Sequence, residues 1–204
     1  MESFVDKIAM EAGSLSWVDW AASITAIVYV VLAARSNIWC WFWGIISCSL
    51  WAYASFVFYG LYLDALLQVF YVGMGFWGIY TWRSAGAQEG IVPVSRLGWQ
   101  QHAWYLLGGG LATLAFGYFF GAYTPAAATY WDAGTTTFSV LATFMLARRR
   151  LDNWAYWVAI DAVYAGLYFS RGAYLFALLM AAYTLIAGKA WASWKKEWQN
   201  AQFY

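Results

Sequence analysis

Residues 60–68 read GLYLDALLQ, and residues 172–180 read GAYLFALLM. Six of the nine positions are identical at an offset of 112 residues. The same offset pairs Tyr71 with Tyr183, Trp82 with Trp194 and Arg83 with Lys195. Upstream, RSNIW at 35–39 is echoed by RRLDNW at 149–154, with a small insertion. A constant offset carried through two apolar segments marks an internal repeat, and a repeat of this length must be read before any other feature of the fold.

Composition says where such units reside. The 204 residues are 64% hydrophobic and 10% charged, whereas soluble domains carry about 25% charged residues. Crossing a bilayer takes about 20 mostly apolar residues. Seven segments qualify: 17–34, 38–59, 62–82, 102–120, 129–148, 153–170 and 173–193. The expected fold is an all-α integral membrane protein with seven transmembrane helices. An N-terminal extracytoplasmic segment (1–16) precedes a three-helix repeat (17–82). A cytoplasmic loop and linker helix (83–128), a second three-helix repeat (129–194) and a cytoplasmic tail (195–204) follow. A single linker span restores the direction of the chain, so both repeats point the same way. Parallel repeats are a known transporter plan, with substrate held at their interface near the middle of the membrane.

Loop charges set the orientation. With the N-terminus on one side, that side holds Lys7 and Arg171. The other holds Arg35, Arg83, Arg96, Arg148, Arg149, Arg150, Lys189, Lys195 and Lys196. The richer side is cytoplasmic by the positive-inside rule, which puts the N-terminus outside and the C-terminus inside. The first sixteen residues lack the basic start and apolar core of a signal peptide. A net charge of +1 gives no field for nucleic acid. Cys40 and Cys48 read as small apolar fillers, and one histidine, His102, makes a metal site improbable.

The chemistry concentrates in residues 153–164, NWAYWVAIDAVY. Trp154, Trp157 and Asp161 follow i, i+3, i+7 and share one helical face. A carboxylate at mid-span costs about 2.5–3.5 kcal/mol on insertion scales, so Asp161 is expected to face the bundle interior. Two indoles beside an acid suit a flat cationic ring, each cation–π contact contributing about 0.5–2 kcal/mol. The plainer alternative makes Trp154 an interface anchor and ties Asp161 to a neighbouring helix. In the third span Asp64, Gln68, Tyr71 and Gly75 form a stripe. Gln68 can read an amide or hydroxyl, or glue helices together, and Gly75 is expected to leave a gap for a ring. Asp64, like Asp19 and Asp132 near the starts of the first and fifth spans, is accounted for by the helix dipole. Thr136, in the run Thr135-Thr136-Thr137, can face a wet path or bond back to its own helix. Trp191, Trp194 and Trp198 read as interfacial belt residues.

The pieces GLYLDALLQVFY, YWDA and LARRRLDNWAYWVAID make residues 17 to 197 resemble the Pnu-type vitamin transporter family, and within it the nicotinamide riboside transporters. The resemblance implies a SWEET-like three-plus-one-plus-three fold in the bacterial inner membrane. It also implies facilitated diffusion of a cationic vitamin or nucleoside-like molecule, trapped afterwards by a cytosolic kinase. No cofactor is implied, and a homo-oligomer is left open. The family's signature resembles Trp-x-x-Trp-x-x-x-Asn/Asp in the sixth span, matched by Trp154, Trp157 and Asp161. Its companion resembles Gln-x-x-Phe-x-x-x-Asn, where Gln68 fits, Tyr71 stands for Phe and Gly75 replaces Asn. That replacement removes a polar contact expected for nicotinamide riboside and keeps thiamin as the alternative substrate. An enzyme is disfavoured because Asp161 is the one ionisable group deep in a span. A retinal-type photoreceptor would need a mid-helix lysine, and Lys189 lies near a helix end.

Overall fold

A computed structural model describes residues 4–83, 93–123 and 129–201. Among the described residues it holds eight helices: α1 (Phe4–Ser14), α2 (Trp17–Ala34), α3 (Trp39–Val57), α4 (Tyr62–Arg83), α5 (Trp99–Tyr123), α6 (Thr129–Ala147), α7 (Asn153–Ser170) and α8 (Tyr174–Asn200). The seven expected spans correspond to α2–α8. Part of the polar loop after α4 (84–92) and the residues before α6 (124–128) lie outside the described residues. Five helices, α2, α3, α4, α5 and α8, are long and apolar enough to cross a membrane. The other two of the seven, α6 and α7, carry Asp132, Thr135, Thr136, Thr137 and Asp161, the polar residues that lower their apolarity.

Within the first unit α2 packs on α3 and α3 on α4; within the second, α6 packs on α7 and α7 on α8. Two further seams, α4 with α6 and α8 with α2, close these six helices into a ring, while α5 packs against α6 and α1 against α8. An exchange of the units maps each of these six seams onto another.

The repeat is written into the backbone. Both α2 and α6 end on a residue in the left-handed region, Ser36 (φ 55°) and Arg149 (φ 50°). The closing bond from Asn37 N–H to the Leu32 carbonyl (3.0 Å) has its copy in Arg150 N–H to Met145 (2.8 Å). The sharp turns before α4 and α8 use Gly60 (φ 65°) and Gly172 (φ 77°), where the missing Cβ removes the steric penalty.

At the arginine-rich end, the last turns of α2, α4, α6 and α8 meet the first turns of α3 and α7. The core there contains four buried tryptophans, Trp41, Trp82, Trp154 and Trp194. Trp41 stands edge-on to Trp82 at 5.6 Å, and Trp154 edge-on to Trp194 at 5.5 Å. Because Trp194 is 0% exposed, its expected belt role is corrected: it lies inside the seal at this end. The cation in the cluster is Arg149, its side chain 1% exposed, ion-paired with Glu197. Its guanidinium lies 4.9 Å from the Trp82 ring and 5.3 Å from Trp194. Burial pulls this guanidinium below its usual range, and the Glu197 carboxylate opposes that pull. Glu197 also accepts from Ser36 Oγ at 2.6 Å, so one acid ties the α2–α3 turn to the α6–α7 turn.

The linker enters this seal. Ser95 N–H donates to Arg149 (3.0 Å) and Leu151 N–H to Ser95 (2.8 Å). Buried Asp152 accepts from Leu97 N–H at 2.6 Å and lies 3.3 Å from His102 Nε2.

At the opposite end Asp19 caps its own helix. Ser16 and Asp19 form a reciprocal capping box on α2, and Tyr59 donates to Asp19 at 2.6 Å. That bond pushes the Tyr59 phenol up to about 12. In the second unit Arg171 reaches Asp132 at 4.0 Å, the matching pair one repeat later. The N-terminal segment 1–16, for which the sequence reading names no helix, contains α1. Its Glu11 accepts from the first N–H groups of α8, Tyr174 (2.9 Å) and Leu175 (2.8 Å). These donors have no carbonyl partner inside a helix. In α4 the first turn carries its own acid, Asp64; at the equivalent place α8 has Phe176.

Candidate functional site

The predicted trio on α7 divides. Trp154 is 1% exposed and its ring packs against Trp194. Its expected open stacking face is corrected: close packing at the arginine-rich end covers it. Only its indole Nε1–H is left without a partner, as is that of Trp41. Trp157, one turn on, is half-buried and borders the same core. Asp161 lies about 10 Å along the axis from Trp154, is 7% exposed and makes no hydrogen bond or ion pair among the described residues. The alternative that Asp161 bonds a neighbouring helix therefore has no partner here.

On α4, Gln68 and Tyr71 are half-buried. Tyr71 approaches Ser139 of α6 and lies near Tyr164 of α7. Tyr164 in turn approaches Thr135 and Thr136. The α4–α6 seam thus brings Tyr71 and Thr136 of the prediction to one polar patch, joined through Tyr164. Thr135 bonds back to the Trp131 carbonyl at 2.8 Å. Gly75 is corrected: a Cβ there would meet the Ile45 side chain, so the expected gap is filled and the glycine serves close packing of α3 on α4. Farther along α4, a Cβ at Gly78 would fall on the Trp41 indole.

Tyr183 of α8 was paired with Tyr71 by the repeat offset but not chosen as a site residue. Its hydroxyl is buried and unpartnered, and it lies within reach of the Asp161 charge. The offset itself was the signal that could have found it.

A cavity of about 380 Å³ lies elsewhere, between α5, α6 and α7, lined by Leu106, Phe138, Tyr156, Ile160 and Val163 among others. It is mainly apolar and contains none of the predicted residues. Asp161 lies on the other face of α7, 7% exposed and without a hydrogen-bond or ion-pair partner among the described residues.

The sequence model described as Nicotinamide mononucleotide transporter matches residues 16–196. The nicotinamide riboside transporter PnuC of Escherichia coli (strain K12) is 25% identical over 216 residues, covering 92% of this chain and 89% of the relative. The riboflavin/roseoflavin transporter RibM of Streptomyces davaonensis is 26% identical over 164 residues, covering 76% and 74%. The crystal structure of the vitamin B3 transporter PnuC superposes with a TM-score of 0.72 at 22% identity, covering 97% of this chain and 90% of that one. The likeness in fold spans the whole ring.

Proposed function

The chain belongs to the nicotinamide mononucleotide transporter family, a family of multi-pass membrane transporters rather than enzymes, and from that premise we propose that it carries nicotinamide riboside into the cell by facilitated diffusion. The six-helix ring and its linker act as a three-plus-one-plus-three, SWEET-like carrier whose two parallel units rock about a central site. The arginine-rich end is cytoplasmic by the positive-inside rule. It is the end closed by the four tryptophans and by Arg149 and Glu197. A bacterial inner-membrane location follows from the same reading, and a cytosolic kinase traps the product.

The observation that carries this proposal is Asp161, buried at mid-helix with no hydrogen-bond or ion-pair partner among the described residues, one turn beyond half-buried Trp157. Trp157 stacks the flat ring and Asp161 balances its charge. Gln68, Tyr71 and Thr136 complete the polar lining, and Trp154 forms the floor. The riboside fits better than the mononucleotide. A phosphate asks for a basic partner, and no Lys, Arg or His occurs in α2, α3, α6 or α7, while those of α4 and α8 lie toward their C-terminal ends. Thiamin shares the cationic ring and is the alternative to be measured alongside. Riboflavin is a second reading, favoured by the RibM relative.

Uptake of labelled nicotinamide riboside into kinase-free proteoliposomes tests the mode of transport. Internal and external concentrations should equalise. Accumulation above the external concentration contradicts facilitated diffusion.

A further inference from the structure

We infer that Tyr183 is a substrate-recognition residue, its buried hydroxyl and the Asp161 carboxylate together gripping a hydroxyl of the substrate's sugar or polyol. This rests on the binding site proposed above and adds to it the part of the substrate that is read.

The placement follows from the α7–α8 hairpin. Asp161 and Tyr183 each lie eleven residues from Gly172, the left-handed glycine of the turn. Two antiparallel helices of equal rise then bring them to the same depth, about 14 Å from the helix ends. Tyr183 lies within reach of the Asp161 charge, yet the phenol does not donate to the carboxylate: its oxygen is buried with no partner.

The repeat explains why the phenol is orphaned. Its mate Tyr71 has Ser139 of α6 to approach. The position corresponding to Ser139 in the first unit, by the 113-residue offset that relates Ser36 to Arg149, is Ala26 of α2, which offers no side-chain polar group. The two units therefore differ at the place where the Tyr183 hydroxyl, left unpaired, lies near an acid.

A buried polar group left unpaired carries a desolvation penalty, and a buried charge a larger one. A ligand that satisfies both groups removes that penalty. An ionised carboxylate only accepts, whereas a phenol donates and accepts. A hydroxyl between them donates to Asp161 and accepts from Tyr183. A bare cationic ring neutralises Asp161 but leaves the phenol unpaired. The pair is therefore selective for ribosyl or ribityl compounds over flat cations without a polyol.

Calorimetry on the purified full chain tests this with nicotinamide riboside and its 2′,3′,5′-trideoxy analogue, which has no sugar hydroxyl. Tyr183→Phe should weaken the riboside about tenfold, as expected for one lost hydrogen bond to a polar or charged group. It should leave binding of the trideoxy analogue unchanged, and that retained binding also reports an intact fold. Equal weakening of both ligands, or riboside binding as in the parent, overturns the inference while the transporter reading stands. Preference of the parent chain for the analogue over the riboside overturns it as well. Failure of the parent chain to bind the riboside, thiamin or riboflavin overturns both.

Discussion

Trp82 and Trp194 lie 112 residues apart in sequence, and their ring centroids are 6.1 Å apart in space. Each donates its indole N–H to the other unit: Trp82 to the Leu146 carbonyl and Trp194 to Ala33, both at 3.2 Å. One bond crosses the α4–α6 seam and the other crosses the α8–α2 seam. The two tryptophans therefore hold the ring shut in equivalent ways at the same end.

Equivalence has a measurable consequence. Trp82→Phe and Trp194→Phe each remove one indole donor, while the Leu146 and Ala33 carbonyls keep their bonds from Arg149 N–H and Ser36 N–H, so each should lose about 0.5–1.5 kcal/mol, the net worth of one hydrogen bond. Thermal unfolding in detergent should show two losses of similar size. A large loss for one and none for the other contradicts the symmetric seal.

Gly78 is the only residue type that leaves room for Trp41. Gly78→Ala should destabilise by about 1–3 kcal/mol through overpacking. Gly73→Ala, where a Cβ meets nothing within 4 Å, should be neutral or stabilising because alanine is the better helix former. The order of the two melting temperatures checks this.

Arg149 and Glu197 are unequal partners, since the Arg149 side chain is 1% exposed and that of Glu197 39%. Glu197→Gln keeps a hydrogen-bond acceptor toward Arg149 and Ser36 but takes the counter-charge from a buried guanidinium, so it should cost stability, though less than loss of the cation together with its packing between the indoles. Arg149→Met removes the cation between two indoles and the bond that joins α6–α7 to α8. The expected outcome is a clear fall in stability and a faster leak across reconstituted vesicles. Identical behaviour of the two variants contradicts a lock centred on the arginine.

Glu11 gives α1 a purpose that a tail would not have. Glu11→Ala should lower stability by about 0.5–2 kcal/mol, the usual size of a lost N-terminal cap. Glu11→Gln, which keeps an acceptor, should recover part of it. Hydrogen exchange at Tyr174 and Leu175 reads the same effect locally.

Much of the architecture was legible in the sequence because lipid enforces it. Each backbone polar group must be satisfied inside the membrane, so apolar runs and helices coincide, and α2, α6 and α7 begin at the residues that hydropathy marked. The repeat was legible from GLYLDALLQ and GAYLFALLM because the third helix of each unit carries the same packing. What was not legible is where each tryptophan points. An indole suits both the membrane interface and a buried core, so Trp194 was read as belt and Trp154 as a stacking face, while both close the arginine-rich end. Gly75 was ambiguous for a related reason: a missing side chain leaves room for a ligand or for a neighbour, and Ile45 takes it. Tyr183 escaped notice because its meaning depends on what α2 lacks opposite it.

The account turns on Asp161 as a carboxylate held for the ligand, and binding calorimetry reaches it most directly. Titration of nicotinamide riboside and thiamin into the parent chain, Trp157→Ala, Asp161→Asn and Trp99→Ala separates the readings, with Trp99 as the control because it is 77% exposed. The predicted result is riboside binding by the parent and by Trp99→Ala, with at least about a tenfold loss in the other two, the scale of a lost charge or stacking contact. Undiminished binding by Asp161→Asn contradicts the account.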